Sequence, residues 1–271
     1  MSTTLYPLKF DPILAERIWG GKILSQKYNK KEIDGNLGES WELSGQEKAD
    51  SVVVNGFLSE NTLTELIETY MGELVGDKIY DQYGLDFPLL FKLIDANDKL
   101  SIQVHPNDEV AAERHQCFGK TEMWYVVEAE PGAELIIGFA KDSDRDAYLD
   151  ALDDERVEDL LDRVPVKAGD VFFIPAGLVH AIGKGVVIAE IQQSSDITYR
   201  IYDYNRKDAH GNGRELHTEQ ALDVINFNTY KESKIQYDDK LNEVITLVDC
   251  EYFTTNVLHF NQSFQRDYAG L

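Results

Sequence analysis

Cysteine is scarce: the 271-residue chain has only Cys117 and Cys250, far apart and outside any Cys-x-x-Cys pair. This excludes a disulfide framework and a thiolate zinc site, and both thiols fit a reducing compartment. Long apolar runs are missing too. Nowhere do about 18 apolar residues follow one another, and the N-terminus, MSTTLYPLKFDP, has no basic stretch leading into an apolar one. No membrane partner and no export are expected, and the chain reads as cytoplasmic. Positive charge is also short, with 26 Lys and Arg against 49 Asp and Glu for a net charge of −23. Such a field repels nucleic acid and anionic membranes. A small anionic substrate stays admissible where a few basic side chains converge. Low-complexity linkers and internal repeats are absent, and the Gly-Lys-Gly at 183–185 lacks the spacing and following helix of a phosphate loop, so it predicts a hairpin turn.

What is present can fold. A hydrophobic content of 43%, with 11% aromatic residues, supports a substantial core in one large domain, or one plus a smaller one. The first third mixes extended segments with a helix at about 60–77, where Thr62 and Glu65 form a capping box ahead of LTELIETYMGELVG. After a short helical excursion, DEVAAERHQ, the segment TEMWYVVEAEPGAELIIGF reads as two strands around a Glu-Pro-Gly turn. Ten acidic residues between Asp142 and Asp162, with interspersed leucines, mark 142–164 as an amphipathic helical insert. Strands resume through VFFIPAGLVHAIGKGVVIAEIQQSSDITYRIYDY, a helix is expected over 218–227 with Thr218 as its cap, and TLVDCEYFTTNVLHF reads as two more strands. The fold class is mainly β with helical insertions: a jelly-roll β-barrel over 1–235 and a partial second C-terminal β unit over 236–271.

Chemistry concentrates in SIQVHP at 101–106. Side chains two apart on a strand share a face, so Ser101, Gln103 and His105 group together, as do Lys120, Glu122 and Trp124 in GKTEMWYVV. With His180 of FFIPAGLVH, two imidazoles, a carboxylate and an amide oxygen would suit a divalent transition metal with one position open. In GDVFFIPAGLVHAI, the residues Gly169, Pro175, Gly177 and His180 have the spacing of the second cupin motif. The usual first motif of that superfamily carries His-x-His; here Gln103 replaces the first histidine.

That departure, with RIWGGKIL, GESWELSG, FKLIDANDKLSIQVHPND, QQSSDITYRIYDYNR and RELHTEQALDVI, resembles the type I phosphomannose isomerases, in particular their short bacterial branch, over nearly all of the chain. The resemblance implies a cupin barrel, one Zn2+ per chain held by Gln103, His105, Glu122 and His180, and Lys120, Asp196 and Arg200 as catalytic groups. It also implies substrate contacts from Lys92 and Ser101, and mannose 6-phosphate and fructose 6-phosphate exchanged through a cis-enediol. Lys120 and Arg200 beside a metal would suit the anionic sugar phosphate. If its strand is regular, Asp196 shares a side with Arg200 and could handle hydroxyl protons while the guanidinium meets developing charge. Other readings stay open: another cupin metalloenzyme, such as an iron oxygenase or different sugar isomerase, or a non-catalytic sugar-binding cupin. Arg200 either serves the site or pairs locally with Asp196 or Asp203. His115, His210 and His217 read as surface or capping residues, and Trp19, Trp41 and Trp124 as core or pocket wall. The oligomeric state is open between monomer and homodimer. Members of the family usually continue into a fuller second β domain past Leu271, so either that domain is abbreviated or the chain is a shortened piece, and in both cases an unfinished sheet can leave an edge strand exposed.

Overall fold

From Val186 to Gln193 the side chains alternate strictly between two environments: Val186 and Ile188 enter the central core with Glu190 and Gln192 following on the same face, whereas Val187 and Ile191 join clusters on the other side. A period of two on a strand buried on both faces calls for layers above and below it. The structure, a computed structural model, describes residues 5–207 and 211–266 and supplies those layers.

The strands in chain order are β1 (Ile13–Gly21), β2 (Leu37–Gln46), β3 (Ala49–Asp50), β4 (Leu89–Ala96), β5 (Ile102–Val104), β6 (Glu122–Ala129), β7 (Glu134–Phe139) and β8 (Leu161–Pro165). There follow β9 (Val171–Ile174), β10 (His180–Ile182), β11 (Val186–Gln193), β12 (Tyr199–Tyr202), β13 (Lys234–Ile235), β14 (Val244–Asp249) and β15 (Thr254–Leu258). One antiparallel sheet runs β1-β2-β4-β11-β6-β9-β13, with β3 attached to β2; a second runs β12-β5-β10-β7-β8. Their inner faces meet through Ile94, Trp124, Phe172 and Ile188 from the first and Leu135, Ile137 and Ile182 from the second. This is the jelly-roll sandwich that the strand spacing predicts.

Outside the smaller sheet, Ile102, Val104, Tyr199 and Ile201 pack with Tyr148, Val157, Ala221 and Leu222 of the helical segments. Outside the larger one, β14 and β15 pair only with each other among the described residues, and Leu247, Val248 and Phe253 around that hairpin cover Met123 and Val171.

Three helical expectations are corrected. The capping box of Thr62 and Glu65 is formed, but the segment at about 60–77 splits into helices Leu63–Tyr70 and Gly72–Val75, followed by a further one at Asp77–Tyr83. Met71 at φ 48° and Gly76 at φ 92° break the continuous ladder. In the 142–164 insert, helix covers only Arg145–Asp153; Glu155 turns with φ 57°, a short 3-10 turn follows, and Leu161–Pro165 pairs with β7 as a strand. The segment expected over 218–227 is helical only at Thr218–Leu222, and its N-cap is His217 rather than Thr218.

Candidate metal centre and active site

Gln103 stands opposite His180 across β5 and β10, and opposite Arg200 across β5 and β12. The other sheet offers a matching row, because Trp41, Lys92, Glu190 and Trp124 are successive cross-strand neighbours on β2, β4, β11 and β6. The two rows touch where the Trp124 and His180 rings meet edge-on, 5.3 Å between centroids. Sheet register thus brings together groups that lie 149 residues apart in the chain, counted from Trp41 to Glu190 as 190 − 41.

His105, Glu122 and His180 lie with one ligand atom each within 4.8 Å of one another, all three buried. The turn ahead of His180 needs Gly177, whose φ is 84° and whose amide donates to the His105 carbonyl; a Cβ there would sit 2.8 Å from the Val224 carbonyl oxygen. The Nδ1 of His105 lies 2.8 Å from the Ile197 carbonyl oxygen and that of His180 2.8 Å from the Leu178 oxygen. A carbonyl only accepts, so both Nδ1 atoms carry the proton and both Nε2 atoms present lone pairs. Those two lone pairs face each other across 3.1 Å. Both Glu122 oxygens are buried without a hydrogen bond, with Lys120 Nζ 3.0 Å from Oε2 as an ion pair. Within reach of these crowded acceptors are the Lys120 ammonium, 3.0 Å from Glu122 and 3.2 Å from His105 Nε2, and the Gln103 amide; crowded acceptors are costly when buried, and a divalent cation would satisfy all three at once. Gln103 lies beside the set, its amide nitrogen 3.3 Å from His180 Nε2; turning the amide over would present its oxygen there instead.

The electrostatics agree. Burial lowers His180 to about 3 against the hydrogen bond to Leu178, and burial with Lys120 and His180 nearby takes His105 well below its usual range, so both imidazoles are neutral. Burial, and then Glu190, raise Glu122 despite the pull of Lys120. Burial works against the Lys120 ammonium, but Glu122, Glu190 and Asp196 outweigh it and raise that group.

A cavity of about 290 Å³ opens over this cluster, lined by Ser101, Gln103, Lys92, Lys120, Asp196 and Arg200 among others. The nine residues expected to bind metal or substrate therefore converge, either on the cavity or in the triad beside it. A larger cleft of about 780 Å³ shares only Asp196 with them and contains none of the triad, so the chemistry points to the smaller one. Lys92 is buried, 3.6 Å from Glu190 and 3.9 Å from Asp196, with its ammonium 4.8 Å from the Trp41 ring centroid. Arg200 pairs with neither carboxylate proposed for it: Asp203 is taken by Arg206 and Arg214, and Arg200 Nη1 donates to the Glu215 carbonyl at 2.8 Å while its Nε has no acceptor.

Sequence reasoning missed Arg17, Glu39, Glu190 and Arg214, which also line the cavity. Glu190 had a signal, a lone charge at an inward position of the apolar run VVIAEI, and there it accepts from Trp124 Nε1 at 2.9 Å. Glu39 accepts two hydrogen bonds from Arg17 and one from Trp41 Nε1. Burial works to raise it, but Lys92, Arg17 and those bonds prevail and hold it at about 2. All three tryptophans are buried, as expected. His115 ends a helix with Nε2 2.8 Å from the Tyr199 hydroxyl, and His210 lies outside the described residues.

Residues 8–140 match the catalytic-domain model of type I phosphomannose isomerase. The mannose-6-phosphate isomerase ManA of Bacillus subtilis is 40% identical, an alignment that covers 93% of this chain and 78% of that protein. The chain belongs to the type I phosphomannose isomerases. A mannose-6-phosphate isomerase of Streptococcus mutans is 44% identical over 81% of this chain and 67% of its own length. The crystal structure of a Bacillus subtilis mannose 6-phosphate isomerase superposes with a TM-score of 0.81 at 34% identity, covering 92% of this chain and 79% of that one. Membership in this enzyme family agrees with the cupin sandwich and with glutamine in place of the usual first histidine.

Proposed function

We propose that the chain interconverts mannose 6-phosphate and fructose 6-phosphate through a cis-enediol, with one Zn2+ held by Gln103, His105, Glu122 and His180. The observation that carries this reading is the buried triad, two imidazole nitrogens facing each other beside a carboxylate paired with Lys120, next to a cavity lined by cations. Two imidazoles, a carboxylate and an amide make a mixed nitrogen and oxygen set that suits zinc. When bound, the ion would supply Lewis-acid polarisation of the sugar oxygens.

The protein groups would divide the remaining work. Aldose–ketose isomerisation moves one proton between C1 and C2 and shifts the hydroxyl protons to match. Asp196, its side chain 59% exposed at the cavity wall and held only loosely by Lys92 at 3.9 Å, is the carboxylate for the hydroxyl protons. Lys120 stays charged beside Glu122 and, with Arg200, offsets the negative charge that develops on the enediolate. Arg200 retains an unpartnered Nε, whereas Arg17 and Arg214 are already held by carboxylates, so Arg200 has donors to spare for the substrate. Lys92 and Ser101 line the same cavity and would complete substrate binding.

We assign the catalytic cupin to residues 1–235 and a small second β unit to 236–271, since every residue lining the cavity precedes the latter and β14 and β15 form their own two-stranded sheet. No helix among the described residues is long and apolar enough to cross a membrane, and two free, half-buried cysteines suit a reducing cytoplasm. The test is metal analysis with a coupled isomerase assay on mannose 6-phosphate. Chelation should abolish turnover and zinc restore it; a metal-free preparation working at full rate would refute the mechanism.

A further inference from the structure

β12 is the edge strand of the smaller sheet, and the outward backbone groups of an edge strand need partners. At Arg200 both partners come from one residue. The Arg200 amide donates to His217 Nδ1 at 3.1 Å, and the His217 amide donates to the Arg200 carbonyl at 2.8 Å. His217 thus pairs with Arg200 as another strand would, its imidazole nitrogen standing in for a carbonyl. As the N-cap of the Thr218–Leu222 helix, its side chain makes no capping bond, being committed to β12. Two residues earlier, the Glu215 carbonyl takes Arg200 Nη1 at 2.8 Å. One short stretch therefore fixes the residue at both its backbone and its guanidinium.

We infer that His217 is a positioning residue for Arg200: its unprotonated Nδ1 sets the height of the Arg200 backbone at the cavity wall and so the direction in which the free Nε points. This rests on Arg200 serving the reaction. The Tyr199 ring, 6.2 Å from that of His217 between centroids, is fully buried and anchors the neighbouring outer face, so β12 can yield only on the edge that His217 pairs. Without the acceptor, the Arg200 amide would turn toward water or another partner and carry the side chain with it.

The test separates an acceptor from a packing role. The variants to compare are His217→Asn, whose amide offers an oxygen near the Nδ1 position, and His217→Phe, whose ring has no acceptor. The expected kcat loss is about tenfold for His217→Phe and no more than about threefold for His217→Asn, with zinc content unchanged in both. The reverse order, or equal losses, overturns the inference. Each change is repeated in an Arg200→Lys background, where His217→Phe should cost less than about twofold, because the group it positions is no longer there. A full tenfold cost in that background shows that His217 acts independently of Arg200 and overturns the inference while leaving the role of Arg200 intact. Full activity of Arg200→Lys and Arg200→Ala would instead defeat the reading of Arg200 itself.

Discussion

Replacing Lys92 with methionine tests how the cavity wall is held. The methionine keeps most of the apolar stem and removes only the ammonium, which lies 3.6 Å from Glu190 with both side chains 4% exposed. Two unit charges at that distance attract by about 5 kcal/mol at an effective dielectric of about 20. Breaking a buried pair typically costs about 3–5 kcal/mol, because the remaining charge is stranded. Lys120 also acts on Glu190, which softens the loss, so the expected destabilisation is about 3 kcal/mol. Adding Glu190→Gln should restore about half of it: the stranded charge disappears while an amide oxygen remains for Trp124 Nε1. Urea unfolding followed by tryptophan fluorescence suits the measurement, since Trp41 lies against the Lys92 ammonium and Trp124 donates to Glu190. Far-ultraviolet circular dichroism on the same samples checks that unfolding is two-state. If the single variant loses less than about 1 kcal/mol, or the two changes simply add, the pair does not hold the wall as described.

Gln103→Leu removes the amide beside His180 Nε2 and should weaken zinc binding at least about tenfold by competitive chelator titration; stoichiometric zinc retained at wild-type affinity would count against its ligand role. Gly177→Ala forces a side chain onto a φ of 84° and against the Val224 carbonyl, so a loss of about 1–3 kcal/mol is expected, visible as a melting point lower by several degrees. Glu39 provides a pH test. Its folded value of about 2 lies below the ordinary 4.5, so it contributes stability that is complete above about pH 4.5 and disappears as pH falls toward 2, about 3 kcal/mol at most. Glu39→Gln should flatten the stability curve across that window, and a variant with an unchanged acid limb would contradict the shift.

The site was legible where alternation alone governs it. Ser101 and Gln103 both reach the cavity while Ile102 and Val104 pack on the outer side, and the turn with Pro175 and Gly177 brings His180 opposite Gln103. Hidden from the sequence was everything set by register between distant strands. Nothing local to Glu190 says that Lys92 will be its neighbour, since pairing β4 with β11 depends on which strands the crossovers bring together. Helix limits failed for a related reason. LTELIETYMGELVG carries a helical period, but the left-handed turn at Met71 is a backbone choice that the apolar pattern does not encode. Likewise, Leu161–Pro165 follows an acidic helix yet becomes a strand because the edge of β7 needs a partner. His217 was expected at the surface or in a cap; it is a cap by position, but its ring completes β12.

The meeting of one row of side chains from each sheet makes the triad a clasp. His180 belongs to the smaller sheet, His105 follows directly on that sheet's strand β5, and Glu122 belongs to the larger sheet, so any ion gripped by all three fastens the halves of the sandwich together. Loading should then slow amide exchange in β6 and β10 in concert. Conversely, a swollen residue deep between the layers, such as Ile188→Phe, would reach the chemistry by prying the clasp open, with no contact to the cavity at all.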